Sequence, residues 1–236
     1  MFTYEDLFQR SERMIGAEAQ ERLRNARAAV FGLGGVGSHA AEALARAGIG
    51  HLTLIDKDTV DVSNINRQLI ALTSTVGRLK TEVMAERLRD INPEVELSLH
   101  PVFFLKPEDA DSIDFQVDII IDAIDNVTGK LALAQAARQR GIPMIMCLGT
   151  GNKTDPGYFR IDDIYRTSVC PLAKVMRREL KRRGFESMPV LYSTEPPIIN
   201  CSPPGSLSFV PPVAGYMLAG YAVRLLTGFK KENCHG

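Results

Sequence analysis

The sequence predicts an α/β fold of the Rossmann-like kind, with a mainly parallel central sheet and helices on both of its faces. Apolar strand-like segments alternate with helix-like segments across residues 28–150, the pattern of folds built from strand–helix–strand units. The first strand-like segment ends at a glycine loop with G-x-G-x-x-G spacing, and a helix-like segment follows. Such a loop lets the backbone approach a phosphate group, and many nucleotide-binding folds contain one. The glycines of the loop are Gly32, Gly34, Gly35 and Gly37.

One domain with three regions is expected, since 236 residues suit a single ordinary core. Residues 1–27 are expected to form an N-terminal helical arm, and residues 28–150 the nucleotide-binding core. Residues 151–236, which contain a basic run and two proline clusters, are expected to form a substrate-side and C-terminal interface region.

Secondary structure is predicted from apolar spacing along the chain. In the charged, amphipathic arm, two helices are predicted, Tyr4–Arg10 and Ala17–Asn25. The run Ile119–Ile121 is typical of a strand buried on both faces. An apolar helix is predicted over Val213–Leu226, too short to span a bilayer. The predicted core strands are Ala29–Phe31, Leu52–Ile55, Val95–His100, Asp118–Ala123 and Pro143–Leu148, and the predicted core helices are Ser38–Ala47, Lys80–Asp90 and Gly129–Arg140.

Charge and cysteine content argue against several classes of protein. There are 28 Lys and Arg residues against 28 Asp and Glu residues, so any nucleic-acid surface must be a local patch. No apolar stretch of about 18 residues and no signal-like start occur, so we expect no membrane span and a cytoplasmic location. The four cysteines form no C-x-x-C pair, which argues against a zinc site and against a disulfide framework.

A polar segment after the second predicted strand indicates which nucleotide is bound. Asp56 ends that strand, at the position where an acid holds a ribose hydroxyl in these folds. Arg67 and Lys80 follow it, and guanidinium and ammonium groups are the usual clamps for a triphosphate. A dinucleotide needs no such clamp, because its pyrophosphate rests on a helix N-terminus. The segment therefore predicts ATP rather than a nicotinamide cofactor. Its other polar residues include Asp58, Asn64, Asn66 and Gln68.

A later strand ends in two further acids, Asp122 and Asp125. Magnesium prefers one or two carboxylates together with phosphate oxygens, and it offsets charge when pyrophosphate leaves. Asp125, past the carboxyl end of the strand, is predicted to be the Mg²⁺ ligand, whereas Asp122 is predicted to bond backbone amides.

These segments together resemble the ThiF/MoeB/HesA superfamily of adenylating enzymes related to ubiquitin E1. The resemblance rests on the glycine loop, on the segments around Asp56 and Arg67, on Gly77 to Lys80, and on Asp122 to Asn126. It implies an E1-type adenylating fold, with ATP bound by Gly34, Asp56, Asn66, Arg67 and Lys80 and with Asp125 on magnesium. The other loop glycines, Asp58, Asn64 and Gln68 complete the implied nucleotide site.

The resemblance also implies a homodimer, in which an arginine of the N-terminal arm reaches into the nucleotide site of the partner. Arg13 matches that position. Taken without the resemblance, Arg13 is an ordinary surface charge.

Within the superfamily, other segments are similar to the branch of tRNA threonylcarbamoyladenosine dehydratases (TcdA/CsdL/YgdL). This implies ATP-dependent cyclisation of N6-threonylcarbamoyladenosine, next to the tRNA anticodon, through an acyl adenylate. No residue pattern identifies a sulfur-transfer partner or a monovalent-ion site. The matching residues are Lys130, Asp155-Pro156, Asp162-Asp163-Ile164, Thr167, Pro171-Leu172-Ala173-Lys174 and Ser193-Thr194-Glu195.

Two other classes of function compete with this one. The first is adenylation of the C-terminus of a ubiquitin-like or sulfur-carrier protein, although such enzymes usually carry two C-x-x-C pairs for zinc. The second is a nicotinamide oxidoreductase or a non-catalytic nucleotide-binding module. Neither accounts for the polar segment and the missing cysteine pairs together.

A tRNA substrate predicts a basic surface, and the stretch from Arg166 to Arg183 is the best candidate because only Glu179 is acidic in it. A solvated helix face is the alternative interpretation of such a run. Cys170 precedes it and is expected to be an ordinary thiol. A lid is one interpretation of Gly184–Gly205. The predicted tRNA patch is Lys174, Arg177, Arg178, Lys181 and Arg182.

Overall fold

The computed structural model describes residues 2–196 and 204–229. They form a seven-stranded sheet in the order β3-β2-β1-β4-β5-β7-β6, in which all neighbouring strands are parallel except β6 and β7. The predicted α/β class with a mainly parallel sheet is therefore confirmed. The strands are β1 Arg27–Phe31, β2 His51–Ile55, β3 Glu96–His100, β4 Ile119–Asp122, β5 Met144–Cys147, β6 Phe159–Asp163 and β7 Pro189–Ser193.

Helices cover both faces of this sheet. Alternate residues of β1 point to opposite faces, so Val30 belongs to one apolar core and Phe31 to the other. Helices α3, α4 and α7 supply the core on the Val30 side, and α5 and α6 supply the core on the Phe31 side. The helices are α1 Tyr4–Ile15, α2 Ala17–Asn25, α3 Gly37–Ala47, α4 Lys80–Ile91, α5 Val127–Arg140, α6 Pro171–Arg182 and α7 Val210–Thr227.

The structure extends or adds several elements. The first helix continues to Ile15 rather than ending at Arg10, because a capping box at Thr3 starts it and Gly16, with a φ of +85°, ends it. Strands β6 and β7 were not predicted; β7 pairs parallel with β5, and β6 extends the sheet antiparallel to β7. The expected lid segment Gly184–Gly205 contains β7, and its residues 197–203, including Cys201, lie outside the described residues, as do residues 230–236 with Cys234.

A buried ion pair ties the ends of β4 and β5 to α5. Lys130 Nζ lies 3.1 Å from Asp122 Oδ2 and 2.6 Å from the carbonyl oxygen of Cys147, and both charged side chains are at most 1% exposed. Asp122 Oδ1 also accepts the N–H of Ile124 at 2.9 Å, as the sequence predicted for this acid. Burial raises the pKa of the Asp122 carboxyl, while Lys130 and the Ile124 N–H act in the opposite direction.

The variant Lys130→Met should lose roughly 3–5 kcal/mol of unfolding free energy at pH 7, because it leaves a buried carboxylate without its cation. An acid whose pKa is raised in the folded state favours folding at low pH and loses that advantage as the pH rises. The deficit relative to wild type should therefore be smaller at pH 5 than at pH 7, because a lower pH favours the neutral form of Asp122.

Urea denaturation at both pH values measures this, with Lys57→Met as the control because Lys57 is itself 42% exposed and its ion pair is with the half-exposed Asp58. Equal deficits for Lys130→Met at the two pH values would show that Asp122 is not the cause.

Candidate functional site

The glycine loop between β1 and α3 is shaped by close backbone contacts that exclude side chains. Gly32 has a φ of +86°, and a Cβ there would lie 2.7 Å from the carbonyl oxygen of Ala123. A Cβ on Gly37 would lie 1.7 Å from the Gly32 oxygen. The loop therefore folds tightly against the end of β4 and leads into α3, whose N-terminus has no side-chain cap. An uncapped helix N-terminus attracts anions such as phosphate.

Asp56, at the end of β2, holds this loop in place. Its Oδ2 accepts the backbone N–H of Leu33 at 2.6 Å, and its Oδ1 accepts the N–H of Asp58 at 2.8 Å. The residue is 9% exposed. A carboxylate oxygen has more than one lone pair, so both oxygens can still accept a hydroxyl group. Asp56 can thus fix the loop and bind a ribose at the same time.

A first cavity opens at the carboxyl ends of β1, β2, β3 and β4, as expected for a parallel sheet. One wall is polar and contains Asp56, Asp58 and Lys80. The apolar part of the lining is contributed by residues 102–104, which follow β3. Phe103 is 49% exposed and has the Lys57 ammonium 3.8 Å from its ring centroid. A flat base and a charged phosphate chain suit these two parts of the lining.

Sequence reasoning missed the apolar part of the lining. The signal was available, because Val102, Phe103 and Phe104 follow a predicted strand directly and ligands gather at the carboxyl ends of such strands.

Lys80, the first residue of α4, lies in the polar wall. Its Nζ is 3.4 Å from Asp58 Oδ2 and 4.0 Å from Asp56 Oδ2, and its side chain is 7% exposed. The backbone N–H of Lys80 donates to the Asp58 carbonyl oxygen at 3.0 Å, which fixes the start of the helix beside the cavity. The ammonium is therefore available to a phosphate chain.

A second cavity adjoins the first and shares part of its wall. The shared residues are Gly34, Gln68, Ala123, Ile124 and Asp125. Asp125 is exposed at this junction, where it can meet ligands in either cavity. Other residues of the second cavity include Gly35, Arg67, Lys130, Lys153, Cys170, Leu172, Pro204 and Ser206.

Arg67 and Asn66 lie on the side of the second cavity rather than the first. The Arg67 guanidinium donates to the Ser63 carbonyl oxygen at 2.9 Å and to Asn66 Oδ1 at 2.8 Å. Asn66 Nδ2 in turn donates to the Ser206 carbonyl oxygen at 2.9 Å. The predicted phosphate clamps thus flank the junction of the cavities from two sides.

Among the predicted nucleotide-site residues, Gly37, Asn64, Asn66 and Arg13 line neither cavity in the described chain. Asn64 is buried beneath the polar loop, where its Oδ1 accepts the Asp61 N–H at 3.2 Å and its carbonyl oxygen accepts two further N–H groups. It shapes the loop that carries Arg67. Arg13 is exposed on α1 and donates to Gln9 Oε1 at 3.3 Å.

The predicted basic patch lies largely on one face of α6. Lys174, Arg178, Lys181 and Arg182 are exposed, at positions that recur along a helical face. Arg177 departs from the prediction because it turns inward and donates to the Thr167 carbonyl oxygen at 2.7 Å. The first residues of α6 line the second cavity, and each residue adds about 1.5 Å of rise. The exposed stripe therefore runs outward from the mouth of that cavity.

The described residues include no group of thiols and other metal ligands arranged around a common point. Among residues 2–196 and 204–229, no cluster of three or more His, Cys, Asp and Glu side chains is placed to hold a metal ion. Cys147 and Cys170 are buried, and burial raises the pKa of the Cys147 thiol to about 12. No helix in the described part of the chain is long and apolar enough to cross a membrane.

The fold and the first cavity together define a nucleotide-binding α/β protein with a site for a phosphate chain. The ThiF family profile matches residues 8–236, and the chain belongs to the ThiF family.

Three individual proteins similar to this chain differ in their identity and coverage. The tRNA threonylcarbamoyladenosine dehydratase of Bacillus subtilis is 42% identical over 235 residues, covering 92% of each chain. The Escherichia coli TcdA structure in complex with ATP has a TM-score of 0.89 at 36% identity and covers 98% of this chain and 97% of that one. The adenylyltransferase and sulfurtransferase uba4 of Ogataea parapolymorpha is 33% identical over 91% of this chain but only 51% of that protein.

Proposed function

We infer that this chain is an ATP-dependent enzyme that dehydrates N6-threonylcarbamoyladenosine in tRNA to its cyclic form through an acyl adenylate. The observation that carries this inference is the meeting of two cavities at Asp125. One has the glycine loop, Asp56 and Lys80 for ATP, and the other opens beside the basic stripe of α6. The likeness over nearly the whole chain to dehydratases from two bacteria, one with ATP bound, supports it.

The proposed reaction consists of two successive substitutions. A threonyl carboxylate oxygen attacks the α-phosphorus of ATP, and pyrophosphate leaves, giving the acyl adenylate. The ureido nitrogen on the adenine side then attacks the acyl carbon and loses its proton, and AMP leaves with the former carboxylate oxygen. This nitrogen closes a five-membered ring, whereas attack by the threonyl-side nitrogen would require a three-membered one. The oxygen lost in the dehydration therefore ends in AMP.

The chain's own residues supply binding and orientation for these steps. The glycine loop and the N-terminus of α3 receive the phosphates, and Asp56 receives the ribose hydroxyls. Lys80 from one side and Arg67 from the other offset the charge that builds up as the carboxylate approaches the α-phosphate. Because the second nucleophile belongs to the same substrate, proximity replaces a covalent enzyme intermediate.

Magnesium is the metal that this arrangement fits. Asp125 offers an exposed carboxylate at the junction, and Mg²⁺ is usually held by one or two carboxylates plus substrate phosphates. We propose that Asp125 holds it, where the ion would offset the charge of the leaving pyrophosphate. We place the enzyme in the cytoplasm, where a tRNA substrate is found.

The purified protein, incubated with ATP, magnesium and tRNA carrying the linear modification, should yield a modified nucleoside lighter by one water. Mass spectrometry of the digested nucleosides measures this. The variant Asp125→Ala should abolish the change while keeping its melting temperature within a few degrees, since the side chain is exposed.

An unchanged nucleoside mass, together with pyrophosphate exchange that requires a ubiquitin-like or sulfur-carrier protein, would instead establish the carrier-activating function.

Charge reversal of Arg178 and Arg182 to glutamate should weaken tRNA binding and flatten its dependence on salt, because each phosphate contact releases counterions. ATP affinity should not change, since neither residue lines the first cavity. Filter binding at several salt concentrations measures the effect. Arg89→Glu is the matched control, as Arg89 is an exposed arginine on α4, across the sheet from α6. Equal weakening by the control would refute a specific patch.

We further propose that the enzyme is a homodimer and that Arg13 completes the nucleotide site of the partner. Within its own chain Arg13 lines neither cavity, which accords with a role in trans. Arg13→Ala and Asp125→Ala should each be inactive alone. If Arg13 acts in trans, mixed dimers of the two variants contain one intact site, and random mixing should restore roughly a quarter of the activity. No recovery in a verified mixed dimer would place Arg13 in cis.

A further inference from the structure

Gln68 occupies the wall between the two cavities. It is 8% exposed and lines both of them, together with Gly34 and Asp125. A Cβ built on Gly34 would lie 3.8 Å from Gln68 Nε2, so the amide nitrogen is next to the phosphate-facing loop. The side chain therefore lies where ATP and the acceptor must meet.

The amide of Gln68 has an unused oxygen. Gln68 Oε1 is fully buried and has no hydrogen-bond partner among residues 2–196 and 204–229. Five buried side-chain polar atoms in that part of the chain lack a partner, and two of them, Gln68 Oε1 and Ser206 Oγ, belong to residues that line the second cavity. Buried polar groups in native proteins are nearly always satisfied, so an orphan in a cavity wall indicates a ligand.

The chemistry of the orphan atom restricts the ligand. An amide oxygen only accepts hydrogen bonds, and a triphosphate offers only acceptors, so the phosphate chain can satisfy the amide nitrogen but not the oxygen. The donors of ATP are the adenine amino group and the ribose hydroxyls. Asp56 can accept from the ribose, and we assign the base to residues 102–104, which line the first cavity but not the second. The second cavity, with a volume of about 490 Å³, must therefore supply the donor.

We propose that Gln68 binds the acceptor, its amide oxygen accepting the N–H on the threonyl side of the ureido group while its amide nitrogen faces the phosphates. This inference rests on the proposed function. The threonyl-side N–H is not consumed in either substitution, so the hydrogen bond persists through the reaction. It holds the carboxylate next to the α-phosphate first, and the acyl carbon next to the adenine-side nitrogen afterwards.

The variant Gln68→Met keeps the length of the side chain and removes both polar ends. Steady-state kinetics with tRNA carrying the linear modification should show kcat/KM lowered about tenfold, mainly through KM, as for one lost hydrogen bond. Calorimetry should show a smaller loss of ATP affinity, about threefold at most, since only the amide nitrogen faces the phosphates, and unmodified tRNA should bind equally well. An unchanged kcat/KM, or an equal loss of ATP affinity, would overturn the proposal.

Gln20→Met is the matched control. Gln20 is also buried, at 3% exposure, and also has an unpartnered Oε1 among the described residues, but its Nε2 bonds Tyr4 Oη and the Ala47 carbonyl oxygen, away from both cavities. It should lower the melting temperature and leave the KM for modified tRNA unchanged. A KM rise equal to that of Gln68→Met would attribute the effect to lost stability and overturn the proposal.

A measurement on the wild-type enzyme covers the case that Gln68→Met does not fold. Anticodon stem-loop RNA methylated on the threonyl-side ureido nitrogen should compete about tenfold less well than the unmethylated RNA. Equal competition would contradict the proposal. Failure of wild type to form any cyclic nucleoside would refute the proposed function itself, whereas normal turnover with equal competition refutes the role of Gln68 alone.

Discussion

The close approach of two backbone segments is the constraint on which this site depends. The loop after β1 contacts the loop after β4 so tightly that Gly32 has no room for a Cβ beside the Ala123 carbonyl oxygen. The same approach brings the phosphate-facing glycines to the loop that carries Asp125. The buried Asp122–Lys130 pair fixes that second loop from beneath, since Asp122 bonds the Ile124 N–H and Lys130 bonds the end of β5. Steric contact sets the distance between the loops after β1 and β4, and the ion pair sets the orientation of the loop after β4.

The Lys80 charge in the first cavity is available to bind a phosphate ligand. The Lys80 side chain is 7% exposed, yet its nearer partner, Asp58, is about half exposed, so their attraction is screened by water. A phosphate oxygen entering the cavity can compete for this ammonium. Asp56 behaves differently, because both its oxygens already hold backbone N–H groups and it serves as part of the frame. Asp56 and Asp58 are only two positions apart in the sequence, yet they have distinct physical roles.

Sequence predicted the elements whose signals are local. The glycine loop, the buried Ile119–Ile121 strand and the acids at strand ends all follow from spacing, since parallel strands bring their carboxyl ends to one edge. The inward turn of Arg177 toward Thr167 and the buried position of Asn64 depend instead on tertiary packing. The same is true of β6, which alternates apolar and charged residues over only four positions, too short a pattern to identify a strand without its pairing to β7. The sequence therefore predicted polar residues at this edge of the sheet but not their division between two cavities.

The division of the site into two cavities explains why the proposed cyclisation requires no reactive thiol. Cys147 and Cys170 are buried beside the second cavity, and the raised pKa of Cys147 keeps its thiol protonated at neutral pH. An enzyme that passes an acyl group to a separate protein needs a way to store that group. In the proposed cyclisation, the attacking nitrogen is part of the acyl group itself. Tethered nucleophiles reach effective concentrations far above those of any free reactant. The adenylate must then be held in the ring-closing geometry and kept from water, which are tasks for a shaped cavity with hydrogen-bonding walls. A cavity adjoining the ATP site at Asp125 and Gln68 meets that requirement.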